Sequence, residues 1–367
     1  MKDLMRLTEI IKRKIENHYS DDIAIFAYYG SYATGLQEEN SDIDFYFIPK
    51  SEKGKEMSIQ FVVDGIGIDL FPITWERIAR IATLDQPLTA VITKSKVLYS
   101  ASPEDEKKFL YLQDKLEELF SPTEFELMTS KCMDYLVEAY TNLFNMKFAS
   151  DNLDEVKIES SKLISNILLA LAFINNTYYK RSIGRAVQEA LNFEKLPQDF
   201  KVLVDRIISE KEIIHIVNDC EKLIFNVRSL LLSELSAVSD KEPYETLFIG
   251  YYEELKSSIN KVIRACNNND YYTAFFRSAL IQEETSRFLS KAEQGIWYSK
   301  RNAYSTYKKS YDEILGINLL DSMDNLSQLK DLVIDLDIKL RDTLIKRDVE
   351  LLEFESIEDF DQFYNGK

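Results

Sequence analysis

Strand-forming sequence is confined to roughly the first 100 residues of a 367-residue chain, and that confinement restricts the fold more than any other feature. Runs of β-branched and aromatic residues bounded by turn residues occur at IAIFAYYG (23–30), DIDFYFIP (42–49), MSIQFVVDG (57–65) and IGIDLFPI (66–73), with KVLYS (96–100) as a last short strand. Asp64-Gly65 joins the third and fourth runs and suits a two-residue hairpin turn. Thr74 is placed to cap a helix in TWERIARIA. From SPEDEKKFL onward the apolar residues recur at helical spacing, predicting helices over 103–120, 122–149, 154–179, 182–191, 198–209 and 209–237. The small, polar, proline-containing stretch 236–245 marks a boundary, and the helices beyond it break around 266–270 and 315–325. The expected architecture is α+β: a small mixed sheet with flanking helices over residues 1–118, a helical bundle over 119–238 and a helical extension over 239–367.

Composition narrows the function classes. The formal net charge of −17 argues against a general nucleic-acid binder, whose affinity comes mainly from clustered Lys and Arg. The same acidity keeps a protein soluble and draws cationic small molecules toward a cleft. Only two histidines occur, His18 and His215, which disfavours a histidine-based triad or a multi-histidine metal site and leaves acid/base and metal chemistry to carboxylates. Cys132, Cys220 and Cys266 lie far apart without CxxC spacing and read as buried, reduced thiols. No apolar run approaches the ~18 residues of a membrane span and the N-terminus is a charged amphipathic helix, so a cytoplasmic protein without a membrane partner is expected.

One strand carries two acids. Residues two apart on a strand point the same way, so Asp42 and Asp44 share a face while Ile43 and Phe45 take the other. Two adjacent carboxylates repel and are costly to bury unless a cation neutralises them. Mg²⁺ suits them, because it takes oxygen ligands and is held by one or two carboxylates plus substrate phosphates. Asp69, between Ile68 and Leu70 on the hairpin strand, is a third acid, and three acids on adjacent strands predict a site for two metal ions. Upstream, Gly30-Ser31 follows a strand and opens a turn whose free N–H groups, with the Ser31 hydroxyl, can cradle phosphate oxygens; Gly35 lets the backbone bend.

A Gly-Ser turn, a gap of about ten residues, an Asp-apolar-Asp strand and a later apolar-Asp-apolar acid together resemble the signature of the DNA polymerase beta-like nucleotidyltransferase superfamily. Gly30-Ser31, Asp42-Ile43-Asp44 and Ile68-Asp69-Leu70 fill every part of it in order. The resemblance implies a nucleotidyltransferase-type sheet with Mg²⁺ at Asp42, Asp44 and Asp69. It further implies a nucleoside triphosphate as co-substrate, and attack of an acceptor hydroxyl on the α-phosphorus with pyrophosphate leaving.

The helical part is similar to the C-terminal domain of the kanamycin nucleotidyltransferases through Tyr179, Ser182, Glu189-Ala190 and Leu196-Pro197. In that family a glutamate on an earlier helix of the domain is the general base, and a lysine one turn later contacts the nucleotide. Glu138 falls where the glutamate would, but four residues on stands Asn142, so Lys180 or Arg181 is the expected source of positive charge. If Glu138 is not the base, Asp69 is the alternative. The resemblance implies AMP transfer from ATP to a hydroxyl of an aminoglycoside-like antibiotic, and a homodimer. Nucleotidylation of a protein or tRNA is an alternative acceptor class, and a catalytically idle binding module is a third, against which the intact acids argue. Beyond residue 240 the aromatic clusters NDYYTAFFRSAL and FIGYYEEL read as helical core or dimer surface. GIWYSKRNAYSTYKKSYDE (295–313), which mixes basic and aromatic residues, reads as a solvated helix face, ahead of the alternative of a nucleic-acid or nucleotide contact that the negative charge disfavours.

Overall fold

The computed structural model describes residues 2–35, 43–86, 89–149, 151–180, 183–298 and 301–366. The chain divides into two compact units, residues 1–231 and residues 232–367. Among the described residues, the first unit opens with α1 (Lys2–His18), β1 (Ile23–Tyr29) and α2 (Ser31–Thr34). These are followed by β2 (Ile43–Pro49), α3 (Glu52–Lys55), β3 (Ile59–Val63), β4 (Ile66–Pro72), α4 (Trp75–Ile81), α5 (Thr89–Thr93) and β5 (Lys96–Ser100). Helices follow: α6 (Pro103–Glu118), α7 (Phe125–Phe148), α8 (Leu153–Ile174), α9 (Ile183–Ala190), α10 (Phe200–Ser209) and α11 (Ile213–Ala237). This is the α+β arrangement expected from the sequence.

The five strands form one mixed sheet in the order β3-β4-β2-β1-β5. β3 and β4 pair antiparallel through the turn at Asp64-Gly65, where φ is 52° and 80°, the left-handed conformations a type I′ hairpin requires. β4 then lies parallel to β2, while β1 is antiparallel to both β2 and β5. Alternation sends the side chains of β1 and β2 to two faces, both largely buried, and one of them is packed by α1. Phe26, Phe45, Phe47, Ile68 and Leu70 are buried there against Ile11 and Ile15, which lie one helical turn apart on α1. Burying each phenylalanine contributes about 1.5–3 kcal/mol. The polar residues of β2 and β4 are thereby committed to the opposite face.

Local signals set several helix ends. Thr74 accepts the Arg77 N–H at 3.2 Å as the cap of α4, and Ser102 accepts the Asp105 N–H at 3.1 Å ahead of Pro103 in α6. The helix expected over 154–179 stops at Ile174: Asn176 turns into the left-handed region (φ 48°), and the chain folds back so that the buried Tyr179 hydroxyl donates to the Leu168 carbonyl at 2.8 Å. Cys132, Cys220 and Cys266 are buried free thiols, and burial pushes the Cys220 thiol up to about 12. No helix among the described residues is long and apolar enough to cross a membrane.

In the second unit the described helices are α12 (Tyr244–Leu247), α13 (Tyr251–Asn267), α14 (Tyr271–Gln294), α15 (Lys309–Ile314), α16 (Leu326–Ile345) and α17 (Ile357–Asn365). Phe248, Tyr251 and Tyr252 enter its core, as expected of FIGYYEEL. In NDYYTAFFRSAL the small Ala274 and Ser278 face inward, whereas Tyr271, Tyr272, Phe275 and Phe276 are exposed, so of the two readings its aromatics do not form the core of this unit. Small residues on one stripe of α14 let its neighbours approach closely, so the aromatics take the other stripe. Residues 295–313 are also not a continuous helix face; Gly295 ends α14, and Tyr298, Tyr307 and Tyr311 are buried.

Candidate active site

β-sheet register assembles the site. Asp44 on β2 is the direct partner of Asp69 on β4 across the parallel pair, so the two carboxylates stand side by side on the face opposite the apolar core. The same row continues outward to Gln60 on β3 and Tyr29 on β1. Gln60 Nε2 donates to Asp69 Oδ1 at 2.8 Å and fixes that carboxylate's orientation. On the same face, Tyr29, Tyr46 and Phe71 form an aromatic cluster next to the acids with ring centroids 6.0–6.4 Å apart. The buried Tyr46 hydroxyl donates to Ser95 Oγ at 2.9 Å, and burial pushes its ionisation far above the ordinary range, so it stays a neutral structural donor.

The turn following β1 closes over this row. Gly30 has φ 76° and ψ −153°, a conformation almost exclusive to glycine. A Cβ placed there would lie 3.3 Å from Asp44 Oδ2, so the missing side chain lets the turn approach the carboxylate. Gly30 leads directly into the single helical turn α2, where Thr34 Oγ1 donates to the Gly30 and Ser31 carbonyls at 3.2 Å each. Gly35, with φ 74°, ends the turn. Gly30 therefore lies beside the Asp44 carboxylate, and Ser31 follows it as the first residue of α2.

A family model described as "Nucleotidyltransferase domain" matches residues 4–131, the span containing this sheet and turn. A second, "KNTase C-terminal domain", matches residues 112–235. The chain is a nucleotidyltransferase. No curated protein matches its sequence significantly. Among solved structures it is similar to a nucleotidyltransferase-like protein from Exiguobacterium sibiricum 255-15, at 11% identity and a TM-score of 0.37, covering 62% of this chain and 75% of that one.

Nucleotidyltransferase domains generally use a nucleoside triphosphate and a divalent metal. The residues here fit such a cation. Asp44 and Asp69 offer hard oxygen donors from adjacent strands, and the space left at Gly30 borders the Asp44 carboxylate. Among the described residues no cluster of three His, Cys, Asp or Glu side chains is poised to hold a metal unaided. A pair of carboxylates is nonetheless a sufficient protein contribution where substrate phosphates supply further oxygens.

The other residues expected from the nucleotidyltransferase pattern lie on the helical part of the first unit or outside the described residues. Asp42, Arg181 and Ser182 lie outside the described residues. Glu138 is exposed on α7, and Lys180 is exposed in the segment between α8 and α9, where its N–H donates to Glu189 Oε1 at 2.9 Å. Asn142 is buried. Its Nδ2 donates to Glu159 Oε2 at 2.8 Å, and Asn166 Nδ2 donates to its Oδ1 at 2.9 Å. Asn145 Nδ2 and Lys162 Nζ also donate to the Glu159 carboxylate, at 3.2 and 2.5 Å. Lys162 first, and then the two asparagines, hold Glu159 below its ordinary value. Asn142 thus joins α7 to α8 rather than standing in for a cationic group.

Replacing Asn142 with Leu removes one donor from a buried carboxylate and the acceptor of Asn166. Denaturant unfolding near pH 7 is expected to show a loss of about 1–3 kcal/mol. A group with a lowered folded pKa contributes stability above its unfolded value and loses it as pH falls through the folded one. The difference between the two proteins is therefore expected to shrink below the ordinary carboxyl value of 4.5. A difference that stays constant down to pH 3 would show that the Glu159 charge is not its source.

Gln60 was missing from the sequence expectation, although its signal was present. A two-residue turn at Asp64-Gly65 sets Val63 opposite Ile66, and counting back along the hairpin sets Gln60 opposite Asp69.

Proposed function

We propose that this nucleotidyltransferase transfers AMP from ATP to a hydroxyl of a small cationic acceptor of the aminoglycoside kind, with Mg²⁺ as cofactor and pyrophosphate as second product. The observation that carries the reading is the approach of the Gly30 turn to the register-paired Asp44 and Asp69. Asp44 and Asp69, with Asp42 from strand alternation, would hold the metal; bound there, it neutralises charge on the triphosphate and orients it. The Gly30-Ser31 turn presents the first N–H groups of α2, which have no partner within the helix, to phosphate oxygens. Tyr29, Tyr46 and Phe71, packed together beside the acids, keep that part of the face rigid. Glu138, exposed on α7, is available to take the acceptor's proton, and Lys180 and Arg181 are available for phosphate contacts. The net charge of −17 favours a cationic acceptor over a polyanionic one.

The full chain incubated with Mg²⁺, α-labelled nucleoside triphosphates and an aminoglycoside panel tests this directly. Label on an aminoglycoside, strongest with ATP, is the expected result. Label on protein alone excludes the acceptor class, and failure to bind any nucleotide excludes the reading altogether.

A further inference from the structure

The second unit carries a hollow of about 410 Å³ at the end of the α13–α14 hairpin, lined by Lys261, Arg264, Tyr272, Thr273, Phe276 and Arg277. Its volume lies within the range of small-ligand sites. Lys261 and Arg264 sit one turn apart on the last turns of α13, and the other four come from the first turns of α14. None of the three cations forms an ion pair among the described residues, in a chain whose formal net charge is −17. The nearby Asp270 carboxylate is engaged as the cap of α14, accepting the Thr273 N–H at 3.0 Å. Lys330 of α16 adds a fourth positive charge at this end, donating to Asn267 Oδ1 at 2.9 Å.

Beside the cations, Tyr272 is 82% exposed and Phe276 68% exposed, four residues apart on one face of α14. Large aromatics left in water next to unpaired cations match the chemistry of a phosphate attached to a planar base: the rings stack the base and the cations meet the phosphate. A second copy of the chain fits poorly. In a two-fold interface the same patch meets itself, and the cations would face cations.

We infer that this hollow binds a nucleotide phosphate, as a free nucleotide or as part of a single strand, at a second site built wholly from α13 and α14. Calorimetric titration of the full chain in EDTA with ATP, with a single-stranded hexanucleotide and with inorganic triphosphate tests it. Arg264→Glu/Arg277→Glu is expected to weaken binding of ATP or the hexanucleotide at least ~10-fold, and Tyr272→Ala about 5-fold or more, with triphosphate alone binding more weakly than ATP. Tyr272 and Arg264 are exposed and Arg277 is half-buried at the rim of the hollow, outside the core of the unit, so these variants are expected to keep the wild-type circular dichroism spectrum. Binding of ATP without the hexanucleotide identifies a free nucleotide as the ligand, and much tighter, salt-dependent binding of the hexanucleotide identifies a strand. Absence of binding by both probes overturns the proposal, as does binding that neither variant changes. So does a variant effect seen only in sedimentation, which would make the patch an interface between copies.

Discussion

Asp44→Asn is expected to lower nucleotidyl transfer at least 10²–10³-fold while the protein stays folded, with a melting temperature within about 3 °C of wild type. Asparagine keeps the size and the strand position of Asp44, so the sheet register has no reason to change. What it removes is one of two charges set side by side on β2 and β4. For folding, that loss relieves repulsion between Asp44 and Asp69. For function, it removes the charge that would neutralise a bound cation. The two consequences have opposite signs, which separates a site residue from a structural one. Asp64→Asn is the control: Asp64 is an exposed acid in the β3–β4 turn, and asparagine tolerates its left-handed backbone, so transfer should be unchanged. Near-wild-type turnover by Asp44→Asn would remove Asp44 from the chemistry.

The parts of the molecule legible in the sequence were those set by short-range patterns. Alternation on DIDFYFIP put Asp44 and Phe45 on opposite faces, and the structure shows Phe45 in the core and Asp44 beside Asp69. Asp64-Gly65 announced the β3–β4 hairpin, because only a few residue types accept two consecutive positive φ angles. The parallel pairing of β2 with β4 depends on segments brought together by tertiary packing, and no local pattern encodes it. The same limit explains Asn142, whose burial is decided by Glu159 and Asn166 on another helix. It also explains α14, where both the aromatic and the small residues recur at helical spacing. Which stripe turns inward depends on how closely α13 can approach, and Ala274 and Ser278 permit the closer contact.

Gly30→Ala has the next largest expected effect, and it acts on both stability and activity. An alanine at φ 76° and ψ −153° is strained by about 1–3 kcal/mol, a cost denaturant unfolding measures directly. Its Cβ would also sit 3.3 Å from Asp44 Oδ2, tighter than an ordinary contact, so either the turn lifts or the carboxylate rotates. Both movements change the spacing between the phosphate-facing turn and the acid pair. A 3.3 Å contact calls for a shift of a few tenths of an ångström, and since a 1 Å misplacement costs about 10²-fold in rate, transfer is expected to fall about 3–10-fold at a temperature where the variant is fully folded. The Gly35→Ala variant isolates the second effect. Gly35 also has a positive φ, 74°, but nothing lies within 4 Å of its would-be Cβ. It should therefore lose stability through backbone strain and keep most of its activity. If Gly30→Ala and Gly35→Ala lose activity equally, backbone strain alone explains both, and the close approach of Gly30 to Asp44 has no part in transfer.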